Sequence, residues 1–227
     1  MIGDVVAMKG NGRSEITKGE NRLENVKWIL HDKIAYIFPE PADLFLSNQT
    51  QAGSWYRINQ QSGSPKDEIS LDVFKIWIDH GRRPSNAGYS YIVVPSVTEE
   101  ELSRENAEKS IEIMANTIDI QAVKHNKLNV CQIVFYRAGE IKVTPDINIR
   151  MDSPGLIMAR MEGKNIKEIS VSDPSGRLGK IHFSTSVKID KRGQDYNAVW
   201  DEAEGLTEVS VDLPQGVYSG ESVTVIL

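Results

Sequence analysis

At 227 residues the chain exceeds one typical sheet domain and has room for two, since about 100 residues already bury a sandwich core. Hydrophobic residues make up 40% and charged residues 26%, an ordinary globular balance that excludes long disordered tracts. The formal net charge is -6, with acidic residues spread along the chain and no block of Lys and Arg, which argues against nucleic acid as a partner.

In chain order, MIGDVVAMKGNG comes first, and Asp4 and Lys9 interrupt its apolar residues, so it reads neither as a signal peptide nor as a membrane span. VKWILHDKIAYIF then spaces Trp28, Leu30, Ile34, Tyr36 and Phe38 mostly by two around a polar His31-Asp32-Lys33 centre, which predicts a β-hairpin. In AGSWYRIN, alternation along an extended segment places Trp55, Arg57 and Asn59 on one strand face, opposite Tyr56 and Ile58. LDVFKIWIDHG sets Leu71, Val73 and Lys75 against Phe74, Ile76 and Ile78, and apolar bulk on both faces predicts a strand in the middle of stacked sheets. Pro84, Asn86 and Gly88 then mark a turn, with Arg82 and Arg83 in a solvated loop, before YSYIVVP resumes the extended pattern. SVTEEELSRENAE, residues 96–108, is the one convincing helix, with Thr98 as N-cap and acidic residues through its first turn.

From Ile111 to Val130 short apolar stretches alternate with polar turns, and the domain transition is placed there. Beyond it CQIVFYRAGEIKV, INIRM, GLIMARMEG, IKEISVSDP, KIHFSTSVKI, LTEVSVDLP and SVTVIL recur with turn residues between them, the pattern of a small antiparallel sandwich. DKRGQDYN reads as an exposed loop. The predicted class is all-β, an antiparallel multi-sheet sandwich over residues 1–115 followed by a smaller C-terminal β-sandwich over 116–227.

Few residues carry chemistry. Cys131 is alone, so no internal disulfide forms, and its place in NVCQIVFY predicts a buried, inert thiol. His31, His80, His125 and His182 show no H-x-x-x-H spacing, so no metal site is expected. Asp79, His80 and Tyr89 resemble a proton relay, but the stronger reading has Asp79-His80-Gly81 satisfying turn amides with Tyr89 packed over them. No serine lies in a G-x-S-x-G elbow, and Gly10, Gly12 and Arg13 read as a loop and not a phosphate cradle. Trp28, Trp77 and Trp200 read as packing residues. Trp55, whose indole can stack on a sugar ring while Arg57 and Asn59 bond hydroxyls or a carboxylate, heads the one candidate carbohydrate contact. An acidic chain offers no long-range attraction to acidic glycans, so a site for one has to be a local cluster.

Several long motifs occur in the order found in one family. HDKIAYIFP, AGSWYRIN, the WIDHGRRPSNAGYSYIVVP stretch and SVTEEE, then ANTIDIQAVKH, VFYRAGEI, PGLIMARMEG and SVSDPSG, resemble the all-β region of the family 8 polysaccharide lyases. That resemblance implies a modular lyase: a helical toroid, a central multi-sheet β domain and a terminal sandwich, cleaving uronate-containing glycans by β-elimination. Such chemistry needs a neutralised carboxylate, a base for the C5 proton and an acid for the leaving oxygen. In the family the Asn, His, Tyr and Arg in those roles lie on the helical domain, so no catalytic residue transfers to this chain.

Three functions are therefore weighed. The first is the non-catalytic β portion of such a lyase, inactive alone, supporting the missing N-terminal helical domain and contacting a glycosaminoglycan or related acidic polysaccharide. On this reading Met1 begins a fragment whose incomplete central domain exposes apolar edges, and whose parent is secreted or periplasmic. The second is a stand-alone carbohydrate-binding or scaffold module. The third, an unrelated β-sandwich adhesion protein, has only fold class behind it. None implies a cofactor, a nucleic acid or a membrane.

Overall fold

The computed structural model describes residues 4–104 and 110–226. Contacts gather the chain into two units, residues 1–108 and 109–227, and the strand pairs within both are antiparallel.

The first unit holds β1 (Val5–Lys9), β2 (Gly12–Ile16), β3 (Gly19–His31), β4 (Ile34–Gly53), β5 (Ile69–Trp77) and β6 (Ile92–Pro95). They form one sheet in the order β2-β1-β3-β4-β5, with β6 also on β4. The expected hairpin is there: His31 faces Ile34, and Asp32 and Lys33 make the two-residue turn with φ of 47° and 63°. Gly12 and Arg13, read from sequence as loop, instead open β2, because Gly10 and Asn11 suffice for the turn.

β4 runs through Pro39 and Pro41, which lack the amide a ladder needs. The sheet accommodates them by interrupting its pairing. On one edge Trp28 faces Ile37 and Val26 faces Ala42, so residues 38–41 bulge against Lys27 alone. On the other edge β6 pairs with Ile34–Ile37 and β5 with Phe45–Gly53, leaving residues 38–44 without a strand partner there among the described residues. A notch in the sheet results.

β5 corrects an expectation. It lies at the edge of its sheet, and Ile69, Leu71 and Trp77 are exposed. Apolar residues on both faces of a strand show that both faces can be covered, not how many strands flank it.

Alternation sorts the unit's core onto the two faces of the sheet. Val5, Ala7, Ile29, Phe38, Leu44 and Leu46 pack on one face; Val6, Trp28, Ala35 and Ile37 pack on the other, under Val97 and Leu102. Leu102 belongs to α2 (Glu99–Arg104), the predicted helix, of which residues 105–108 lie outside the described ones. Thr98 caps it reciprocally: the Glu101 amide donates to Thr98 Oγ1 at 3.3 Å, and the Thr98 amide and hydroxyl both donate to Glu101 Oε2 at 2.8 Å. Those two donors hold the Glu101 carboxyl below its ordinary range. Thr98→Ala is expected to destabilise this unit by about 1 kcal/mol in urea unfolding; an unchanged midpoint would show the cap to be idle.

The second unit stacks two six-stranded sheets. One contains β7 (Ile111–Asn116), β8 (Ile120–His125), β9 (Val130–Phe135), β12 (Gly155–Glu162), β13 (Asn165–Ser172) and β18 (Val223–Ile226), in the order β18-β13-β12-β9-β8-β7. The other contains β10 (Gly139–Thr144), β11 (Ile147–Met151), β14 (Lys180–Thr185), β15 (Lys191–Arg192), β16 (Tyr196–Asp201) and β17 (Leu206–Asp212), in the order β10-β11-β14-β17-β16-β15. Inward residues of both sheets, among them Phe135, Ile157, Ile169, Met151 and Phe183, make one core. At Gly155 the packing is so close that a Cβ would sit 2.7 Å from Met151 Cε and 2.8 Å from Ile181 Cδ1. Cys131 is fully buried, and burial pushes its thiol up to about 11, which keeps it inert as expected.

Candidate functional site

Trp55, Arg57 and Asn59 do not share a strand face. After β4 the chain turns at Ser54 into a single helical turn, α1 (Trp55–Ile58), with the Asn59 amide donating to the Trp55 carbonyl at 2.9 Å. Successive helical residues rotate by about 100°, so Trp55 and Arg57 point to nearly opposite sides. Trp55 is 58% exposed, and the Arg57 guanidinium pairs with Glu68 at 3.3 Å. Alternation over eight residues does not distinguish an extended segment from one helical turn flanked by coil.

The histidines stand apart in role. His31 stacks on Phe74 with centroids 4.1 Å apart, and its Nε2 is buried with no hydrogen-bond partner. Burial lowers its pKa from the ordinary value, with Asp32 pulling weakly the other way. His125 Nδ1 accepts the Leu128 amide at 3.3 Å, and His182 lies on β14 opposite Ser210. Among the described residues no cluster of three His, Cys, Asp or Glu could hold a metal ion, and no helix is long and apolar enough to cross a membrane.

Asp79, His80 and Tyr89 follow the turn reading. Asp79 Oδ1 accepts the Gly81 amide at 2.8 Å, and Gly81 has φ of 73°, which its missing Cβ permits. Tyr89 lies over the junction, its ring centroid 6.2 Å from that of His80.

The sequence reading missed what this junction belongs to. At the notch in the sheet, Tyr36 and Phe38 of β4, the end of β5 and the 78–91 segment that follows it line an open cleft of about 570 Å³. Its floor is apolar, from Phe38, Phe74 and Ile76. Aromatic rings form the rim: Trp77 is 42% exposed, Tyr89 62% and Tyr91 50%. Trp77 is held from behind by Phe45, stacked at 5.6 Å and 13°, and Tyr89 stacks beside Tyr91 at 6.3 Å and 18°. Lys75 and His80 bring basic groups to the lining, which includes no Asp or Glu among the described residues. Trp77, expected as a packing residue, thus packs on one side only. A signal existed, three large aromatics within Trp77–Tyr91, but their meeting depends on β4 accepting two different strands on one edge.

The chain is thus β-rich: an antiparallel sheet bearing an aromatic cleft in the first unit, and a two-sheet sandwich in the second. The family model described as polysaccharide lyase family 8, super-sandwich domain, matches residues 1–106, and that described as polysaccharide lyase family 8, C-terminal beta-sandwich domain, matches residues 112–182. The chain belongs to polysaccharide lyase family 8. It is 36% identical over 224 residues to a chondroitinase-AC of Pedobacter heparinus, matching 97% of this chain and 29% of that protein. A hyaluronate lyase of Thermasporomyces composti is 32% identical over 169 residues, 72% of this chain and 21% of the relative. A solved chondroitinase AC lyase, studied in oligosaccharide complexes, superposes with a TM-score of 0.78 at 33% identity, covering 98% of this chain and 30% of that one. The chain therefore spans under a third of the length of these relatives.

Proposed function

We propose that this chain is the non-catalytic β portion of a lyase that cleaves uronate-containing glycans of the chondroitin or hyaluronan type by β-elimination. It supports a helical catalytic portion, and it works where such glycans are met, outside the cell or in the periplasm. The observation that carries this reading is that both units match β-sandwich modules of the family. The outer edge of β5, unpaired among the described residues, supports it: Leu71 is 66% exposed and Ile69 48%, apolar surface of the kind that further strands or another domain cover.

The test uses chondroitin and hyaluronan with the purified chain, following the absorbance of unsaturated uronate ends. No product is expected; its release by the chain alone would overturn the reading. A second reading, a carbohydrate-binding module acting without cleavage, is favoured by the aromatic cleft and predicts affinity for these glycans in a titration that releases no product.

A further inference from the structure

We propose that the cleft between Trp77 and Tyr91 is a binding site for a short acidic saccharide. The choice of an acidic glycan rests on the function proposed above; the cleft itself rests on geometry. Flat, half-exposed rings offer faces for the C–H surfaces of a sugar, and here they are held before any ligand arrives. Trp77 cannot swing inward, because Phe45 lies behind it, and Tyr89 and Tyr91 brace each other. The volume of about 570 Å³ falls within the roughly 300–1,000 Å³ of small-molecule sites.

Polar groups decide the ligand class. Tyr36, Tyr89 and Tyr91 bring hydroxyls, His80 brings an imidazole, and Lys75 brings an ammonium. With no carboxylate in the lining and Asp79 engaged at the Gly81 amide, the cleft is a locally cationic place on a chain of net charge -6. This is the local cluster that a polyanion requires on an acidic protein. A purely apolar partner would leave the Lys75 ammonium facing it unsatisfied, whereas the carboxylate of a uronate sugar meets it.

The site owes its shape to long-range pairing. Gly81, Arg83 and Asn86 take φ of 73°, 58° and 55°, which lets the 78–91 segment fold back between the two strands that carry its ends. Trp77 is the last residue of β5 and Tyr91 immediately precedes β6, which fixes these two rings better than a loop tip would.

Calorimetric titration of chondroitin and hyaluronan tetrasaccharides into the whole chain tests the proposal. One site per chain is expected, with Trp77→Ala and Tyr91→Ala each weakening it by roughly tenfold or more. Lys75→Gln should weaken the acidic saccharide and leave a carboxyl-reduced one unaffected, while Trp55→Ala should change nothing. Melting curves of the same variants, unchanged from the parent, exclude loss of fold as the cause. Absence of binding, binding insensitive to the Trp77 and Tyr91 substitutions, or equal affinity for the neutral saccharide would each overturn it. A cleft variant that abolishes self-association while saccharide never binds would assign the surface to a second copy of the chain. Product release by the unmodified chain would strike the lyase-support reading and leave the cleft standing, so the two fail separately.

Discussion

Phe183→Ala is expected to destabilise the C-terminal unit by about 4 kcal/mol, the cost of deleting a fully buried ring and leaving its cavity only partly collapsed. Phe183 sits in a row that crosses three strands, between Met151 on β11 and Val209 on β17, each of them buried to within 1% exposure. Facing it across the sandwich are residues of the opposite sheet that belong to the same core, so no route exists for water to fill the space. Phe183→Leu keeps most of the volume and should cost under about 2 kcal/mol. Urea unfolding measures both, and hydrogen exchange should show lost protection at β14 and β17 first. A change below about 1 kcal/mol for the alanine variant would mean that the two sheets do not close over this residue.

How much of this was legible depends on range. The 28–38 hairpin was readable because its period and its two-residue turn are local, and the Thr98 cap because N-cap and acidic first turn lie within four residues. The strands of the C-terminal sandwich declared themselves by alternation, and order of motifs gave the family. Position within a sheet was not readable: β5 carries apolar residues on both faces, yet only β4 flanks it among the described residues. β4 itself hides behind Pro39 and Pro41, since the bulge that tolerates them is made with β3 and not by the prolines' own neighbours. The candidate site suffered from both limits. Trp55, Arg57 and Asn59 were grouped by a period of two that a single helical turn breaks, while Trp77 and Tyr91 meet only after β5 and β6 have found opposite ends of the same edge.

Asp173→Asn is expected to cost about 3 kcal/mol, more than a typical surface carboxylate could, because Asp173 organises the turn that links β13 to β14. Asp173 is only 4% exposed. One of its carboxylate oxygens accepts the Ser175 amide at 2.9 Å and the Ser175 hydroxyl at 2.7 Å, while the other accepts the amides of Arg177 and Leu178 at 2.9 and 2.8 Å. An asparagine keeps one acceptor and turns the other into a donor aimed at two donors. Burial acts against the charged form, but the Ser175 hydroxyl and the amides of Leu178, Arg177 and Ser175 outweigh it and hold the carboxyl at about 2 against an ordinary 3.8. A carboxyl that is depressed in the folded state contributes its stabilisation above the unfolded value and loses it as pH falls through the folded one. Between roughly pH 5 and pH 2 the parent should therefore lose about 2 kcal/mol that the Asn variant has already forfeited, and the stability difference between them should shrink. Equal acid dependence of the two proteins in urea titrations would show that the four hydrogen bonds are not what holds this turn.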